Sequence, residues 1–320
     1  MKISWPIFSL VIAAALIVPT QAETPSSLVE SEGAAGSQAG SSTQEAEALV
    51  ERVERTIDHL QSLSAKVRNR VDLFDQQVTG TGIYFQQGSG LRQLSRFELK
   101  SQVGDATYTL LEVNDGRGFW TFRELPTGPS LNRVDLERIQ AQLESDARSA
   151  SGERPSRVPI GGLSKMLTGL RQNFQFDRAA QTQLGERIVW VIDSQWRPAQ
   201  LAATVPELRG AIEAGRPIEW KKLPPHLPEH VVLYIGQSDL IPYRIDYLRR
   251  IGKSDAEGQG GILPGYRAIV TTEFFDVRPN APIDSREFVY QPSGLTQASG
   301  LKPVDTTDAY LKTLRGEAAK

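Results

Sequence analysis

A succession of extended segments joined by short turns constrains the fold of this chain most. From residue 65 onwards, bulky apolar side chains recur on alternate positions, and turn signals recur about every 8–15 residues. The predicted strands are 65–79, 82–87, 93–102, 106–114, 119–122, 174–183, 187–196, 230–236, 242–250, 266–277 and 286–290. Turns are predicted at 80–82, 104–105, 115–116 and 184–186. The pattern indicates a meander of antiparallel sheet.

Apolar residues at helical spacing interrupt these strands. Helices are predicted at 44–62, 131–144, 162–171, 206–214 and 306–315. Strand and helix do not alternate regularly, which disfavours a parallel α/β sheet. The sequence therefore predicts an α+β fold: a large curved antiparallel sheet, an unclosed half-barrel of about 11 strands, with short lid helices on its concave face.

The first 22 residues are typical of a secretory signal peptide. Lys2 gives a basic start, residues 7–18 are apolar, and Thr20-Gln21-Ala22 approximates a cleavage site. The apolar run is shorter than the roughly 20 residues of a membrane span, although an uncleaved signal anchor is the alternative. Cleavage after about Ala22 predicts export, with a bacterial periplasm as the expected compartment.

The remainder divides by composition. Residues 23–43 are small and polar, which predicts a disordered linker. Residues 44–305 form the predicted half-barrel domain, with a Pro-rich insertion at 197–229. The C-terminal tail, 306–320, carries a short helical signal.

Composition excludes several classes of function. The chain has no Cys, which rules out disulfides, thiolate metal sites and a lipid-modified Cys. Lys and Arg number 36 against 38 Asp and Glu, and loss of Lys2 leaves 35 minus 38, or −3. Without a basic excess, nucleic acid is not an expected partner.

No catalytic or metal-binding set is evident. The three histidines are His59, His226 and His230, and Pro228 prevents the last two from pairing on a helix. Neither a Gly-x-Ser-x-Gly elbow nor a phosphate-binding loop is present. No metal, cofactor or enzymatic activity is therefore expected. Carboxylates near the strands leave a glycosidase-like hydrolase as a third hypothesis; these are Glu112, Asp115, Asp246 and Glu273.

Several short stretches follow one another in a recognisable order. They are Leu63-Ser64-Ala65-Lys66-Val67, Gly80-Thr81-Gly82-Ile83-Tyr84-Phe85, Arg96-Phe97-Glu98-Leu99, Leu110-Leu111-Glu112-Val113-Asn114-Asp115-Gly116, Phe119-Trp120, Gly162-Leu163-Ser164-Lys165-Met166-Leu167, Asp239-Leu240-Ile241-Pro242-Tyr243-Arg244-Ile245 and Phe288-Val289-Tyr290-Gln291-Pro292-Ser293-Gly294. In this order they resemble the LolA/LolB superfamily of bacterial periplasmic lipoprotein carriers, with RseB-type stress sensors and LppX-type lipid carriers. The resemblance covers most of residues 44–305. The linker, the insertion and the tail are extra, and without a Cys the chain is unlike a lipid-anchored LolB-type acceptor.

The resemblance implies a function that needs no catalytic residue. In that superfamily an unclosed barrel with a helical lid holds acyl chains, which makes Trp120, Phe122, Leu163, Met166, Leu167 and Leu170 expected pocket residues. Apolar strand positions complete the predicted ligand-binding set: Phe97, Leu99, Leu111, Val113, Trp190, Ile192, Leu233, Ile245 and Phe274. Without a ligand, all of them would simply form the core.

Three hypotheses follow. The leading one is a monomeric, non-enzymatic periplasmic carrier or chaperone that binds acyl chains of lipoproteins or lipids. The second is an envelope sensor or protein-binding module of the same fold, acting with a membrane protein partner. The third is the carboxylate-dependent hydrolase.

Overall fold

The computed structural model describes residues 36–314, except 74–75, 90–92, 126–127, 150–160, 251–262 and 292–299. The predicted signal peptide, most of the predicted linker and the end of the predicted tail lie outside the described residues. The helices are α1 (Gly36–His59), α2 (Leu136–Ser149), α3 (Gly162–Asn173), α4 (Pro198–Thr204), α5 (Pro206–Glu213) and α6 (Thr307–Leu314). Among the described residues, none of these helices combines the length and apolar character needed to cross a membrane.

Twelve strands make up the sheet within the described residues. They are β1 (Ser62–Leu73), β2 (Gln76–Gln87), β3 (Leu94–Val103), β4 (Ala106–Asn114), β5 (Gly118–Leu125), β6 (Gly128–Asp135), β7 (Phe174–Leu184), β8 (Arg187–Trp196), β9 (His230–Gly236), β10 (Pro242–Arg250), β11 (Tyr266–Pro279) and β12 (Val304–Asp305). Their order is β12-β6-β5-β4-β3-β2-β1-β11-β10-β9-β8-β7. The two edge strands, β12 and β7, differ, so the sheet is unclosed and the predicted α+β class is confirmed, with twelve strands instead of about eleven.

The ladders from β2 to β6 and from β7 to β11 show the expected antiparallel pairing, whereas β12 pairs with β6 in parallel. The strand predicted at 286–290 is wrong, because Ser285–Phe288 is a 3-10 turn. Asp284 caps this turn by accepting a hydrogen bond from the Arg286 N–H. The cap provides the local alternative to an extended backbone.

The turn predicted at Gly80-Thr81-Gly82 is also wrong, because these residues lie inside β2. Gly80 pairs with Ser101 and Gly82 with Leu99 on β3. A Cβ atom at Gly82 would overlap the Glu98 carbonyl oxygen, and one at Gly80 would overlap the Ser101 Oγ. Close approach of β3 therefore explains both glycines.

Two helix boundaries differ from the prediction. The predicted helix at 44–62 begins at Gly36 and ends at His59, because a buried stripe propagates helix into the small-residue segment before it and Ser62 begins β1. The helix predicted at 131–144 begins only at Leu136, since residues up to Asp135 pair with β5 as strand β6. A further short helix, α4, was not predicted.

The described residues form two compact units. The first contains residues up to Arg55, Arg70–Gln77 and Gly169–Glu273. One face of its strands carries the cluster Val189, Val191, Val232, Tyr234 and Leu248. The cross-strand partners Ile192, Leu233 and Ile245 lie on alternate positions and are fully buried.

The insertion at 197–229 belongs to the first unit. The Trp196 indole N–H donates to the Pro228 carbonyl at 2.7 Å. The Arg249 guanidinium on β10 donates to the carbonyls of Leu223 and Leu227, each at 3.2 Å, and to that of Pro224. These bonds fix the Pro-rich segment against β10.

The second unit contains Thr56–Asn69, Val78–Thr168 and the residues from Phe274 onwards. Side chains at alternate positions of its strands form two hydrophobic clusters. One contains Phe119, Val134, Leu136 and Ile139, with Leu143, Tyr310 and Leu311 packed against it. The other contains Leu111, Val113, Phe122 and Leu131, with Trp120, Tyr290 and Leu301 beside it.

Candidate functional site

A cavity of about 660 Å³ lies in the second unit. Strands β3, β4 and β5 form one side and residues 284–291 form the other. Its apolar lining comprises Leu111, Phe122, Val289 and Tyr290, and its polar lining comprises Arg96, Glu98, Lys100, Thr109, Glu124, Asp284, Arg286, Glu287 and Gln291. The volume falls within the roughly 300–1,000 Å³ of known ligand sites. We call this space the β3–β5 cavity.

Strand register places the apolar floor of the cavity. Glu98 pairs with Leu111, and Leu111 pairs with Phe122, so these side chains project from the same face of the sheet. The Tyr290 ring stacks on the Trp120 ring with centroids 4.9 Å apart and planes inclined by 8°. This stack fixes the segment 284–291 against the sheet.

The cations of the cavity wall are paired with carboxylates of the same wall. Glu98 contacts Arg96 at 2.7 Å and Lys100 at 2.8 Å. Burial opposes the change, but hydrogen bonds from Lys100 and Arg96 hold the pKa of the Glu98 carboxyl below its usual value. Arg286 forms an ion pair with Asp284 at 2.5 Å, and hydrogen bonds from Arg286 lower the pKa of that carboxyl.

Two carboxylates of the wall stand apart from this pairing. Glu124 accepts a hydrogen bond from the Thr109 hydroxyl at 3.2 Å, and Glu287 contributes its carbonyl oxygen to Arg96 at 3.4 Å. Across the described ranges, neither carboxylate makes an ion pair. Both side chains are half-buried.

Helix α3 is anchored to strand β2. The Leu163 N–H donates to the Tyr84 hydroxyl at 3.0 Å, and that hydroxyl donates to the Gln86 side-chain oxygen at 2.6 Å. The Gln86 amide donates to the Ile57 carbonyl at 2.9 Å. Burial raises the pKa of Tyr84 far above its usual value. The predicted lid helix is thus attached at its first turn.

A charged pair accompanies α3. The Lys165 ammonium lies 5.5 Å from the Phe119 ring centroid and 5.0 Å from that of Tyr310. Burial raises the pKa of Glu112 against the attraction of Lys165 and Arg123. Burial also lowers the pKa of Lys165 against the attraction of Glu112. Each charge therefore limits the cost of burying the other.

The predicted ligand-binding residues are distributed over both compact units. Leu111 and Phe122 line the β3–β5 cavity, and Val113 and Trp120 belong to the same cluster. Phe97 and Leu99 alternate with Arg96, Glu98 and Lys100 on β3 and therefore project from the opposite face.

The other predicted residues lie away from the cavity lining. Phe274 meets the Tyr84 ring edge-on at 6.3 Å. Leu163, Leu167 and Leu170 are buried on α3, and Met166 is half-buried. Trp190, Ile192, Leu233 and Ile245 belong to β8, β9 and β10 of the first unit.

Sequence reasoning missed the charged wall of the cavity. Arg96, Glu98 and Lys100 alternate at the strand period and could have been recognised as one polar face of β3. No local signal places residues 284–291 over that face, because the contact between Arg96 and Glu287 spans 191 positions of chain.

The carboxylates considered for hydrolysis have other contacts. Asp115 accepts hydrogen bonds from the Arg117 and Gly118 N–H groups and from the Trp120 indole. Asp246 is bound by Arg244, Tyr234 and Thr271, and Glu273 lies 3.8 Å from Arg244. Glu112 lies within the electrostatic reach of Lys165 and Arg123.

Among the residues that the structure describes, the histidines and acidic side chains do not form a metal-binding cluster. Within the described part of the chain, no three His, Asp or Glu side chains could jointly hold a metal ion. His230 lies 3.2 Å from Asp193 and edge-on to the Tyr266 ring.

Solved structures similar to this chain come from several bacteria. A putative outer membrane lipoprotein-sorting protein domain from Vibrio parahaemolyticus is 9% identical, with a TM-score of 0.32, covering 77% of this chain and 97% of that one. A LolA superfamily protein from Nitrosomonas europaea is 10% identical, with a TM-score of 0.27 and coverages of 77% and 97%. The MucA/MucB complex of Pseudomonas aeruginosa is 8% identical in sequence, with a TM-score of 0.37. The match covers 77% of this chain and 61% of that one.

No protein-family profile and no curated protein sequence matches the chain. The structures named above include a member of the superfamily that the sequence resembles. At identities and scores of this size, a function does not transfer from one protein to the other. The function of this chain therefore rests on its own residues.

Proposed function

We propose that the protein is a non-enzymatic carrier of the bacterial envelope that binds the acyl chain of a lipid or lipoprotein in the β3–β5 cavity. The supporting observation is the cavity itself: about 660 Å³ with an apolar floor and a charged rim. Such a combination suits an amphiphile, whose chain is desolvated while its polar end stays near water. The export signal of the sequence supports the periplasm as the compartment.

The apolar floor supplies the binding free energy. Burial of a methylene group contributes about 0.8 kcal/mol, so about six buried methylenes contribute about 5 kcal/mol before ordering costs. Leu111 and Phe122 are almost fully buried and Val289 is 49% exposed, which gives the cavity a firm floor and an accessible edge. An affinity near millimolar for a single ten-carbon chain follows.

The proposal predicts that filling the cavity edge weakens binding. The Val289→Trp substitution places a large side chain at the accessible edge, and we expect the affinity for 1-decanol to fall at least about tenfold. Isothermal titration calorimetry on the full-length mature protein measures this change. Val304→Trp is the matched control, because Val304 is 60% exposed on β12 and does not line the cavity.

A second measurement addresses the natural ligand. Native mass spectrometry of protein taken gently from its own periplasm should reveal a bound acylated molecule. A ligand-free mass, together with no uptake of 1-decanol, would reject the carrier and favour the sensor or protein-binding module. Equal affinities of wild type and Val289→Trp for 1-decanol would show that the ligand binds to another part of the molecule.

A further inference from the structure

We propose that the β3–β5 cavity selects amphiphiles that carry a protonated amine beside the apolar chain, such as lipids with an aminoalcohol headgroup. This inference rests on the proposed carrier function and specifies its ligand. The inference depends on two observations. One is the pairing of charges within the cavity wall, and the other is the position of the carboxylates that form no ion pair.

The charge inventory of the wall favours a cation. The lining contains three cations (Arg96, Lys100 and Arg286) and four carboxylates (Glu98, Glu124, Asp284 and Glu287). Every cation is within 2.8 Å of a carboxylate of the same wall. Glu98 is shared by Arg96 and Lys100, while Glu124 and Glu287 form no ion pair across the described residues. Three cations against four carboxylates leave the wall with one net negative charge.

The two carboxylates without an ion pair flank the apolar floor from both sides. Glu124 follows Phe122 by two residues on β5, which places it on the same face about 7 Å along the strand. Glu287 precedes Val289 by two residues on the opposing segment. A ligand whose chain lies over Phe122 would carry its polar end to Glu124, or to Glu287 at the Arg96 end of the cavity.

The carboxylate acceptors of the wall determine which polar group of a ligand they can bind. An ammonium group offers three donors and no acceptor, and hydrogen bonds to charged groups are roughly twice as strong as neutral ones. A carboxylate or phosphate alone would meet a wall with one net negative charge, which disfavours anionic ligands. Half-burial of Glu124 and Glu287 limits solvent screening of the attraction.

Three probes with the same chain test the inference. Decylammonium, 1-decanol and decanoate, each below its micelle-forming concentration, are titrated into the mature protein at pH 7 by calorimetry. We expect decylammonium to bind about tenfold more tightly than 1-decanol, and decanoate to bind most weakly. Glu124→Gln and Glu287→Gln should each weaken decylammonium about tenfold and so remove its advantage over 1-decanol.

Controls separate this inference from the carrier proposal. Glu186→Gln, at the exposed turn between β7 and β8, changes the net charge equally and should leave all three affinities unchanged. Equal affinities for decylammonium and 1-decanol, or Gln variants without effect, would overturn the amine selectivity while leaving the carrier intact. Decylammonium binding that survives Val289→Trp would also overturn it, since the ligand would then lie elsewhere. Failure of all three probes would reject both proposals.

Discussion

At the scale of single residues, Glu112 and Lys165 show how a pair of charges is tolerated in an apolar setting. Lys165 extends from α3 towards Phe119 and Tyr310, and Glu112 lies on β4 within its electrostatic reach. Burial dominates both shifts, raising the pKa of the acid and lowering that of the base. The pair therefore makes local stability depend on pH.

The sign of that dependence can be stated. Because the folded-state pKa of Glu112 lies above its usual 4.5, the folded protein holds this proton more tightly than the unfolded chain. The stability contribution is complete below the unfolded pKa and is lost as pH rises through the folded pKa. We expect the unfolding free energy of wild type to fall relative to Glu112→Gln as pH rises from about 4.5.

Urea denaturation of both proteins between pH 4 and 8 measures this difference. The exposed Glu186→Gln variant serves as the charge-matched control. A difference that stays flat, or that grows in favour of wild type with rising pH, would contradict the assignment of a raised pKa to Glu112.

Single residues also show what sequence patterns can find. Leu111 and Phe122 were in the predicted ligand-binding set because bulky apolar residues recur at the strand period, and they do line the cavity. Glu124 and Glu287 were not, since 38 acids offer no local sign of which carboxylates stay without a cation. That distinction depends on partners brought from distant parts of the chain.

At the scale of elements, strand β2 shows how a glycine can be misread. A Gly-x-Gly stretch ordinarily favours a turn. In β2 it permits β3 to approach so closely that a side chain at Gly82 would overlap the Glu98 carbonyl. Local sequence does not distinguish these two uses of glycine, whereas the boundaries of β8 and β9 follow directly from their alternation.

Substitution at Gly82 tests this explanation. Gly82→Ala should lower the free energy of unfolding by about 2 kcal/mol or more, because β2 and β3 must separate locally to admit the methyl group. Gly210→Ala on α5 is the control, since a methyl group there would meet nothing within 4 Å. It should stabilise the protein by about 0.5–1 kcal/mol. Urea denaturation compares the two, and equal effects would reject the close-approach argument.

At the scale of the whole molecule, the sequence predicted the fold class better than the site. The α+β class follows from long strands, few helices and no regular alternation between them, features that a single sequence displays. The cavity depends on residues 284–291 lying over β3–β5, a pairing between distant segments. The contact of the predicted insertion at 197–229 with β10 also joins distant segments. It depends on hydrogen bonds from Arg249, which no local sequence pattern indicates.

Export is the whole-molecule prediction. The mature protein isolated from its own cells should begin at about Glu23, and N-terminal sequencing with intact mass measurement checks this directly. The released chain should fractionate with the periplasmic contents and carry a net charge of about −3 (35 minus 38). Full-length mass in a membrane fraction would instead support the uncleaved signal anchor.

Strands β1 and β11 are adjacent in the sheet, and this pairing determines the order in which the chain can fold. The Asn280 N–H donates to the Ser62 carbonyl at 2.8 Å, and the Gln61 N–H donates to the Asn280 side chain across 219 positions of chain. A chain synthesised from its N-terminus presents β1 early and β11 only near the end. One side of β1 therefore has no partner strand during most of synthesis. Pairing of strands so distant in sequence is slow, and strand edges that stay unpaired in the meantime are prone to aggregation. The last quarter of the polypeptide therefore governs when folding can finish, and truncation there leaves the earliest strand without its neighbour.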